Sequence, residues 1–485
     1  MTRLDGFQRG VLILLGVLTV AALLPWNPLG PFDARDYAAL PDMQLHYPLV
    51  ASLLEPLVAP GQALMGAPDF RLAFGATAVW LGVAAALWAL WRGGPWWRRL
   101  LRAPALAFSA MWCLAAYLLF VSHVHFPGWR LSVGDPDAVI ADLQSHTLGS
   151  HDGLVRAPYN LRWHLARGYD VAAITEHDDP RGSFYTQHVA KQEFPQIGVI
   201  PGAEVGSEYG GFLLGLGLKE DKMIPNFWED RSDYARRFID TVHNRHQGAV
   251  VSMAWHLSAD HVRTLAAAGV DGFEIANNGH PDIPQPVREA MLELGRAGKV
   301  VLVADTDWHG WGGFNRTWNV FHIPGAVQMN SQQRADAVVA TLRARNGTAV
   351  TPVVAGYLGP PSTLRLIFTP LAELVRYGAE LSLPRLAAWW LWGGLLIAAT
   401  PWLLRRGVRP LRVVLIGWLA VVGAGLLWRG VQIYFTAPQG DVVLSDVTHE
   451  LGGMGIYVAV PLLIAAVVLA FVEWRRRAFD GYSCR

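Results

Sequence analysis

Six long apolar runs most strongly constrain how this chain can fold. They cover approximately residues 10–26, 73–91, 104–124, 386–404, 413–434 and 453–473. A helix needs about 20 mainly apolar residues to cross the core of a bilayer. The runs form two groups of three, with a long and more polar segment between them. The sequence therefore predicts a multi-pass membrane protein whose middle segment folds as a separate domain.

The composition supports this interpretation. The chain is 52% hydrophobic and only 16% charged, whereas roughly 25% of residues are charged in soluble proteins. One alternative is that the runs are buried helices of a soluble protein. Another, for the first run alone, is a cleaved signal peptide, although no small-x-small cleavage motif follows it. Arg429 lies near one end of the fifth run, where its side chain can snorkel to the membrane interface.

The arginines between the runs predict one orientation in the membrane. Loops rich in Lys and Arg stay in the cytoplasm. Such loops precede the first run, follow the sixth, and separate the second run from the third and the fourth from the fifth. Of the alternate segments, 27–70 is acidic and 430–452 lacks Lys and Arg. We therefore expect both termini in the cytoplasm and the middle segment on the extracytoplasmic side of the cell inner (cytoplasmic) membrane.

Charge and cysteine content narrow the partners and the compartment. The net charge of +1 argues against a general nucleic-acid surface, so the lipid bilayer is the large partner that we expect. Cys113 lies inside an apolar run and Cys484 lies in the tail, so the two cysteines are not placed to pair. The middle domain is therefore expected to fold without disulfides. The oligomeric state does not follow from the sequence.

The middle segment alternates short apolar strands with amphipathic helices. Strands are predicted at 171–175, 197–201, 212–218, 249–254, 270–276, 299–304 and 318–323, and helices at 159–168, 231–247, 258–268, 284–298 and 331–345. This alternation predicts an α/β fold with a mainly parallel sheet or barrel, in which chemistry is found at the carboxyl ends of the strands.

The chain therefore divides into three predicted parts. They are an N-terminal membrane region (1–124), a middle domain (125–358), whose motifs are described below, and a C-terminal membrane region (359–485). Residues 361–383 are amphipathic. They are expected either to lead from the domain onto the membrane surface or to form the last packing helix of the domain.

Histidines and carboxylates recur where the predicted strands end. Eleven of the sixteen histidines lie between residues 142 and 309. Some of these histidines, together with several carboxylates, lie in five short motifs: Asp142–Gly153, Ile174–Asp178, Pro201–Glu204, Trp255–His256 and Ala304–His309. A single histidine at a strand end is more often a structural residue than a ligand. Their convergence on one face of a barrel would make a site for zinc, manganese or iron, which imidazole and carboxylate bind.

These motifs resemble those of the PHP (polymerase and histidinol phosphatase) family over roughly residues 138–323. Members of that family are metal-dependent phosphoesterases with a distorted seven-stranded β/α barrel and two or three metal ions. The resemblance implies this barrel for the middle segment, flanked by two groups of three transmembrane helices. It also implies a hydrolase that acts on phosphoester bonds.

Several positions depart from the family pattern. The first family motif reads Asp-x-His-x-His, and Gln144 stands here in place of its first histidine. His151 is an additional histidine within the same motif, Glu176 replaces an aspartate, and leucine rather than proline follows His256. The neutral amide of glutamine is a poorer ligand for zinc or iron than imidazole. We therefore expect two divalent ions (Zn, Mn or Fe), with three ions or a complete loss of metal as the alternatives.

The resemblance also implies roles for individual residues. The implied metal ligands are His146, Asp152, His177, Glu204, His256, Asp307 and His309. Asp152 and His151 are also candidates for a catalytic role, His151 as a ligand or as a proton donor on the solvent side. Arg181 and Arg316 follow the motifs closely and are candidates for binding the phosphate, with a surface salt bridge as the equal alternative. Two such ions, about 3.5–4 Å apart, would activate a hydroxide and polarise a phosphate oxygen.

The expected function is thus that of a membrane-anchored, metal-dependent phosphoesterase. The expected substrate is a phosphorylated small molecule or a lipid-linked phosphate. The alternative is a catalytically degenerate PHP-like module that binds or senses a ligand in the membrane, which the glutamine at position 144 motivates. A transport path through the helices is less favoured, because the apolar runs carry no charged residue near their centres.

Overall fold

The computed structural model describes residues 4–24, 29–65, 70–91, 94–221, 232–254, 256–278, 283–312, 315–356, 363–437 and 446–480. Its strands are β1 (Pro31–Asp33), β2 (Met43–His46), β3 (Arg130–Val133), β4 (Ala138–Asp142), β5 (Val171–His177), β6 (Gly198–Gly206), β7 (Phe212–Leu216), β8 (Ala249–Ser252), β9 (Gly272–Asn277), β10 (Val301–Asp305), β11 (Thr317–His322) and β12 (Val350–Ala355). Its helices are α1 (Gly6–Leu23), α2 (Leu49–Leu53), α3 (Glu55–Met65), α4 (Phe70–Trp91), α5 (Trp96–His123), α6 (Ala157–Ala166), α7 (Arg181–Glu193), α8 (Tyr234–Thr241), α9 (Ala259–Ala268), α10 (Gln285–Arg296), α11 (Ser331–Arg343), α12 (Thr363–Ile367), α13 (Thr369–Ala379), α14 (Leu383–Arg405), α15 (Pro410–Tyr434) and α16 (Asp446–Asp480). A π-helical turn at Val242–His246 extends α8.

Within the described part of the chain, six helices are long and apolar enough to cross a membrane. They are α1, α4, α5, α14, α15 and α16, three before the middle segment and three after it. Between 17% and 28% of each apolar window is buried inside the protein, so most of its surface needs an apolar environment outside the protein. The six predicted membrane runs are thus confirmed as helices of suitable length and composition.

The middle segment folds around a curled, mixed sheet. Its strand order is β1-β12-β11-β4-β5-β6-β7-β8-β9-β10. The chain just after β4 meets the chain just after β10, because the amide of His146 donates to Trp308 O (2.9 Å) and the amide of Asp307 donates to Gln144 O (3.0 Å). These bonds bring the two ends of the seven-stranded portion β4–β10 together, so that it curls into a distorted half-barrel. The predicted seven-stranded β/α barrel between two groups of three apolar helices is confirmed.

The prediction of a mainly parallel sheet is wrong. Only β4-β5, β5-β6, β8-β9 and β9-β10 are parallel pairs among the described strands. β7 is antiparallel to both of its neighbours. The physical reason is the short connection between β6 and β7. The amide of Ser207 donates to Gly211 O (2.8 Å) across this turn. Two strands joined by such a hairpin turn must be antiparallel.

The connection between the first two apolar helices contributes a strand to this sheet and a strand to a smaller one. β1 pairs with β12 at the edge of the large sheet, and β2 pairs with β3 in a separate two-stranded sheet. After the barrel, α13 packs on α1 so closely that a Cβ at Gly378 would lie 2.6 Å from Ala21 Cβ. The segment predicted to be amphipathic at 361–383 contains α12 and α13 and ends at the first residue of α14. Residues 361 and 362 lie outside the described residues.

Candidate metal centre

The predicted ligands lie where strands of the barrel end. His177 is the last residue of β5, and it is paired in register with Glu204 of β6. His146 follows β4, while Asp307 and His309 follow β10, and the bridge between Ser145 and Trp308 holds those two segments together. β4, β5 and β6 run parallel, so these side chains meet at one end of the barrel.

One group of donor atoms surrounds the buried ring of His146. Its Nε2 lies 3.3 Å from Glu204 Oε2 and 3.3 Å from Asp307 Oδ1. The hydroxyl of Ser150 donates to Glu176 (2.7 Å), so its oxygen accepts from His146 Nδ1 (2.9 Å). This network, from which the tautomer is inferred, places the proton on Nδ1. In the neutral ring the lone pair of Nε2 faces two carboxylate oxygens, an arrangement that either a second proton on the ring or a metal ion would stabilise.

A second group of donor atoms lies beside the first. His177 Nε2 is 3.4 Å from His309 Nε2 and 3.5 Å from Asp152 Oδ1, while His309 Nε2 is 3.3 Å from Asp152 Oδ2. Glu204 joins the two groups, because its other oxygen, Oε1, lies 3.6 Å from His177 Nδ1. The stacked rings of His146 and His309, with centroids 3.9 Å apart, complete the contact between the groups.

The donor atoms fit divalent metal ions. A tetrahedral ion with ligands at about 2.0–2.1 Å separates neighbouring ligand atoms by roughly 3.3–3.4 Å, close to the distances seen in both groups. Two buried atoms, His146 Nε2 and Asp152 Oδ1, have no hydrogen-bond partner among the described residues, which is unfavourable unless an ion engages them. In the same part of the chain, three sets can hold an ion: His146-His177-His309, His151-Asp152-His177 and His146-Glu204-Asp307.

The electrostatics of the cluster also call for positive charge. Burial alone would lower the pKa of His146, but Asp307 and Glu204 beside it raise that pKa well above its usual value. Burial likewise opposes protonation of His177, whereas Glu204 and Asp152 raise its pKa overall. Burial would raise the pKa of Asp152, yet the neighbouring histidines lower it. These three shifts favour a cation at the cluster, a role that a metal ion can take. The pKa of His309 shifts the other way, because burial and the neighbouring His146 lower it.

Glu176 supports the first group from behind. The carboxylate is fully buried and accepts the hydroxyls of Thr147 (2.5 Å) and Ser150 (2.7 Å). A Cβ on Gly149 or Gly182 would lie 2.7 or 2.8 Å from Glu176 atoms, so the two glycines leave the space that this carboxylate fills. The expectation that Glu176 orients a histidine is consistent with this network, in which Ser150 is the link to the ring.

Further carboxylates lie buried below the cluster. Asp142 accepts from His164 Nε2 (2.9 Å) and from the Thr306 hydroxyl. Burial and the charge of Asp142 raise the pKa of Asp305 to about 8, and burial together with Asp305 raises that of Glu274 well above its usual value. Asp305 and Glu274 therefore tend to hold protons at a pH where exposed acids are charged.

Gln144 acts as a hydrogen-bond donor in this structure. Its Nε2 donates to Glu204 Oε2 (2.7 Å) and to Asp307 Oδ1 (2.9 Å). Its Oε1 is directed towards Asn277 Nδ2 (3.4 Å). The amide therefore holds two carboxylates of the first group in position, and its oxygen is turned towards Asn277.

Four other predicted site residues lie differently. His151 is at the rim, with its side chain 63% exposed and Nε2 4.0 Å from Asp152 Oδ2. His256 is exposed and belongs to none of the three sets above, and the preceding Trp255 lies outside the described residues. Arg181 is exposed and pairs with Asp179. Arg316 is buried and pairs with Glu380 (2.8 Å), which anchors the barrel to the region just after α13.

Backbone conformation marks three of the motif residues. Asp178, His256 and Asp307 have positive φ angles of 58°, 55° and 51°. Such a conformation is costly for residues other than glycine and is often found at functional sites. For Asp307 it is stabilised on both sides, because its amide donates to Gln144 O and its carbonyl lies 2.8 Å from His309 Nδ1.

Comparisons with known proteins add no functional assignment. No family model matches the chain, and no curated protein matches it. A structure from Bifidobacterium adolescentis, provisionally described as a metal-dependent phosphoesterase, is 16% identical over 42% of this chain and 96% of that chain, with a TM-score of 0.31. An amidohydrolase from Chromobacterium violaceum, with bound sulfate and no metal, is 15% identical over 41% of this chain and 96% of that chain, with a TM-score of 0.28. Both scores are below 0.5, so we base no function on either likeness.

Proposed function

We propose that this protein is a membrane-anchored, metal-dependent phosphoesterase of the PHP type. The observation that carries the proposal is the cluster itself, in which Glu204 lies between the His146–Asp307 group and the His177–His309–Asp152 group. Its Oε2 lies 3.3 Å from His146 Nε2 and its Oε1 lies 3.6 Å from His177 Nδ1, whereas His309 and Asp152 lie nearest the other nitrogen of the His177 ring, Nε2. Glu204 thus contacts a histidine of each group, which supports a site for two neighbouring cations.

Divalent ions in such sites polarise a phosphate oxygen and lower the pKa of a bound water molecule. The side chains that would hold them are His146, Glu204 and Asp307 in one group and Asp152, His177 and His309 in the other. Glu176 and Ser150 keep the His146 ring in one orientation, which supports the affinity of a ligand for its ion. The amide of Gln144 donates to both Glu204 and Asp307 and so offsets the repulsion between these two carboxylates.

His151 is the residue of this cluster best placed to exchange protons with solvent. Its side chain is largely exposed, and its ring lies 4.7 Å from that of His177. Imidazole is the side chain most suited to proton transfer near neutral pH. We assign to His151 the protonation of the leaving alkoxide, and to Asp152 beside it a ligand role.

The apolar helices and the loops between them suggest where this chemistry would take place. The arginine-rich loops favour cytoplasmic termini and an extracytoplasmic catalytic domain. The proposed substrates are phosphorylated small molecules or lipid-linked phosphates that reach the outer face of the inner membrane. The site is proposed to bind two divalent ions, which are zinc, manganese or iron.

The test is hydrolysis by the purified full-length protein. A generic phosphomonoester and phosphodiester are assayed after elemental analysis of bound metal. We expect His177→Ala and Asp307→Ala to lose both metal and activity. His322→Ala is a matched control, because this exposed histidine pairs with Asp135 at the end of a different strand. Hydrolysis that is unchanged in His177→Ala and Asp307→Ala would refute the assignment.

A second candidate function is metal or ligand binding without turnover. The observation that favours it is the position of Gln144, whose amide donates to both carboxylates of the first group. A protein with this function would bind metal in stoichiometric amount and hydrolyse neither type of phosphoester. The same purified sample therefore separates the two candidates.

A further inference from the structure

A second concave site lies next to the metal centre. It is a cavity of about 290 Å³ between the segment 154–159, which follows the loop of His151 and Asp152, and the last turns of α15. This volume is close to the lower end of the range for small-ligand sites, roughly 300–1,000 Å³. Two arginines, Arg156 and Arg429, line it from opposite sides.

Arg429 has only neutral hydrogen-bond partners in the described structure. Its guanidinium donates to His123 O (3.2 Å), to Leu154 O (3.2 Å) and to Gln432 Oε1 (3.3 Å). No carboxylate among the described residues forms a salt bridge with it. A partly buried cation without a counter-charge is unfavourable, because it loses water without gaining an ion pair. An anionic ligand would supply the missing charge.

Arg156 brings a second positive charge to the same cavity. It is exposed, and its Nη2 donates to Ala437 O (3.2 Å), again a neutral acceptor. It too forms no salt bridge with a described residue. Two guanidinium groups around one cavity are the arrangement best suited to a phosphate, since each offers a planar fork of donors that matches two phosphate oxygens.

The surroundings of the arginines favour a lipid as the carrier of that phosphate. The cavity lies at the end of α15, one of the six helices long enough to cross a membrane. Its lining includes the apolar side chains of Val155, Ile433 and Phe435, and Phe435 is 74% exposed. Arginines at the end of a spanning helix lie at the level of lipid headgroups. A headgroup phosphate can meet the arginines while the acyl chains remain with the apolar side chains.

The backbone segment that lines the cavity also contacts the metal centre. Leu154, whose carbonyl accepts from Arg429, donates its amide to His309 O (2.8 Å). The carbonyl of Gly153 accepts from the hydroxyl of Thr448 on α16 (3.1 Å). A ligand held by Arg429 is therefore separated from the loop of Asp152 by a single backbone segment.

We propose that the Arg156–Arg429 cavity binds the phosphate of a membrane lipid headgroup. That the lipid is also a substrate rests on the proposed hydrolase function, whereas the binding itself does not. The site extends that function by specifying how a lipid-linked phosphate is held beside the metal centre. It is distinct from the metal cluster, because none of its lining residues belongs to the donor groups.

The experiment measures lipid bound to the full-length protein in detergent by native mass spectrometry. The probes are dioleoyl phosphatidylglycerol and, as a lipid without phosphate, dioleoylglycerol. We expect selective binding of the phosphatidylglycerol. Arg156→Gln and Arg429→Gln are each expected to weaken it about threefold or more, and the double variant about tenfold or more, because charge-assisted bonds to phosphate are lost.

Two controls make the result decisive. Arg406→Gln changes an exposed arginine that stacks on Trp402 after α14 and is expected to bind as the wild type does. Metal content and elution volume show whether each variant is folded, and Arg156→Gln alters only an exposed side chain. Unchanged phosphatidylglycerol binding in a folded Arg156→Gln and in a folded double variant would overturn the proposal.

Inorganic phosphate and glycerol 3-phosphate distinguish the two sources of the ligand. Competition by either at the same concentration as the lipid would assign the cavity to soluble phosphate and overturn the lipid source. The readout does not depend on turnover. A protein that hydrolyses no phosphoester but binds lipid through these arginines would therefore refute only the hydrolase function.

Discussion

Ser150 fixes the orientation of His146 through a single hydrogen bond of 2.9 Å between Oγ and Nδ1. The serine proton is directed to Glu176, so the imidazole must supply the proton of this bond. Nε2 is then directed at Glu204 and Asp307 as a lone-pair donor. A ligand that is oriented in this way before an ion arrives binds that ion with less loss of freedom.

The first prediction concerns this serine. Ser150→Ala removes the acceptor of His146 Nδ1 and is expected to weaken metal binding about 10–100-fold, as loss of a supporting partner commonly does. Isothermal titration with Zn²⁺ or Mn²⁺ measures the change. Ser132→Ala is the matched control, since the hydroxyl of Ser132 contacts only His46 among the described partners, on the β2-β3 pair. Equal affinities for the two variants would contradict the orienting role.

The second prediction concerns Gln144. Gln144→Leu removes the donor shared by Glu204 and Asp307, and the metal-free protein is expected to lose roughly 1–3 kcal/mol of stability, because buried carboxylates lose a partner. Added metal should reverse most of this loss. Gln144→His is expected to raise metal affinity, because imidazole is the better ligand. If the Gln144→Leu protein without metal is as stable as the wild type, the hydrogen bonds from Gln144 to Glu204 and Asp307 do not contribute to stability.

A third prediction assigns Arg316 to stability. Its guanidinium forms a buried ion pair with Glu380, and Glu380 also pairs with Arg376 (2.9 Å). Removal of one partner from a buried pair costs roughly 3–5 kcal/mol, and Arg376 should reduce this cost in Arg316→Gln because it keeps Glu380 paired. Arg316→Gln is therefore expected to lower the melting temperature and to leave the KM for a phosphoester almost unchanged. Glu380→Gln should lower the melting temperature further, because both arginines lose a partner. A raised KM in Arg316→Gln with an unchanged melting temperature would instead indicate a role in binding the substrate.

A fourth prediction concerns pH. Burial, followed by the charge of Arg429, lowers the pKa of His125 to about 3, whereas the unfolded chain has a histidine pKa of about 6.5. The unfolded state therefore binds the extra proton first, and the contribution of neutral His125 to stability is lost as the pH falls from about 6.5 towards 3. His125→Asn should lessen the fall in melting temperature between pH 7 and 5. An identical fall in both proteins would contradict this.

A fifth prediction tests the contact between the membrane helices and the metal-site loop. Thr448→Val removes the hydroxyl that donates to Gly153 O and keeps the size of the side chain. We expect a drop in kcat of about threefold or more, since small misplacements near a site are costly, with the melting temperature little changed. Activity equal to that of the wild type would show that the contact is dispensable.

Much of the fold followed from local patterns in the sequence. The six apolar helices were predictable because hydrophobicity over about 20 residues is a property of the local sequence and does not depend on tertiary contacts. Strands such as β5 and β10 were predicted within two residues, because each is a short apolar run ended by a polar motif. β1, β2, β3, β4 and β12 were not predicted as strands. β1 and β2, for example, are short segments whose strand character depends on partners far away in the sequence, β12 and β3.

The site was predictable to a similar extent and for related reasons. Strand ends identify residues that meet at one end of a barrel, and six of the predicted ligands lie in the two donor groups. Proximity in sequence was a poor guide for Arg181 and Arg316, because a side chain three or seven residues after a motif can point away from it. Glu274 and Asp305 were not singled out. Acids inside apolar strands are the signal that could have identified them, since burial of a carboxylate needs a specific reason.

The most direct test of the central claim is phosphodiester hydrolysis by the full-length protein before and after removal of metal. Chelation is expected to abolish turnover. Added Zn²⁺ or Mn²⁺ should restore it in the wild type and fail to restore it in Asp307→Ala, which lacks a carboxylate of the first donor group. Turnover that persists after complete removal of metal, or that returns fully in Asp307→Ala, would contradict the account.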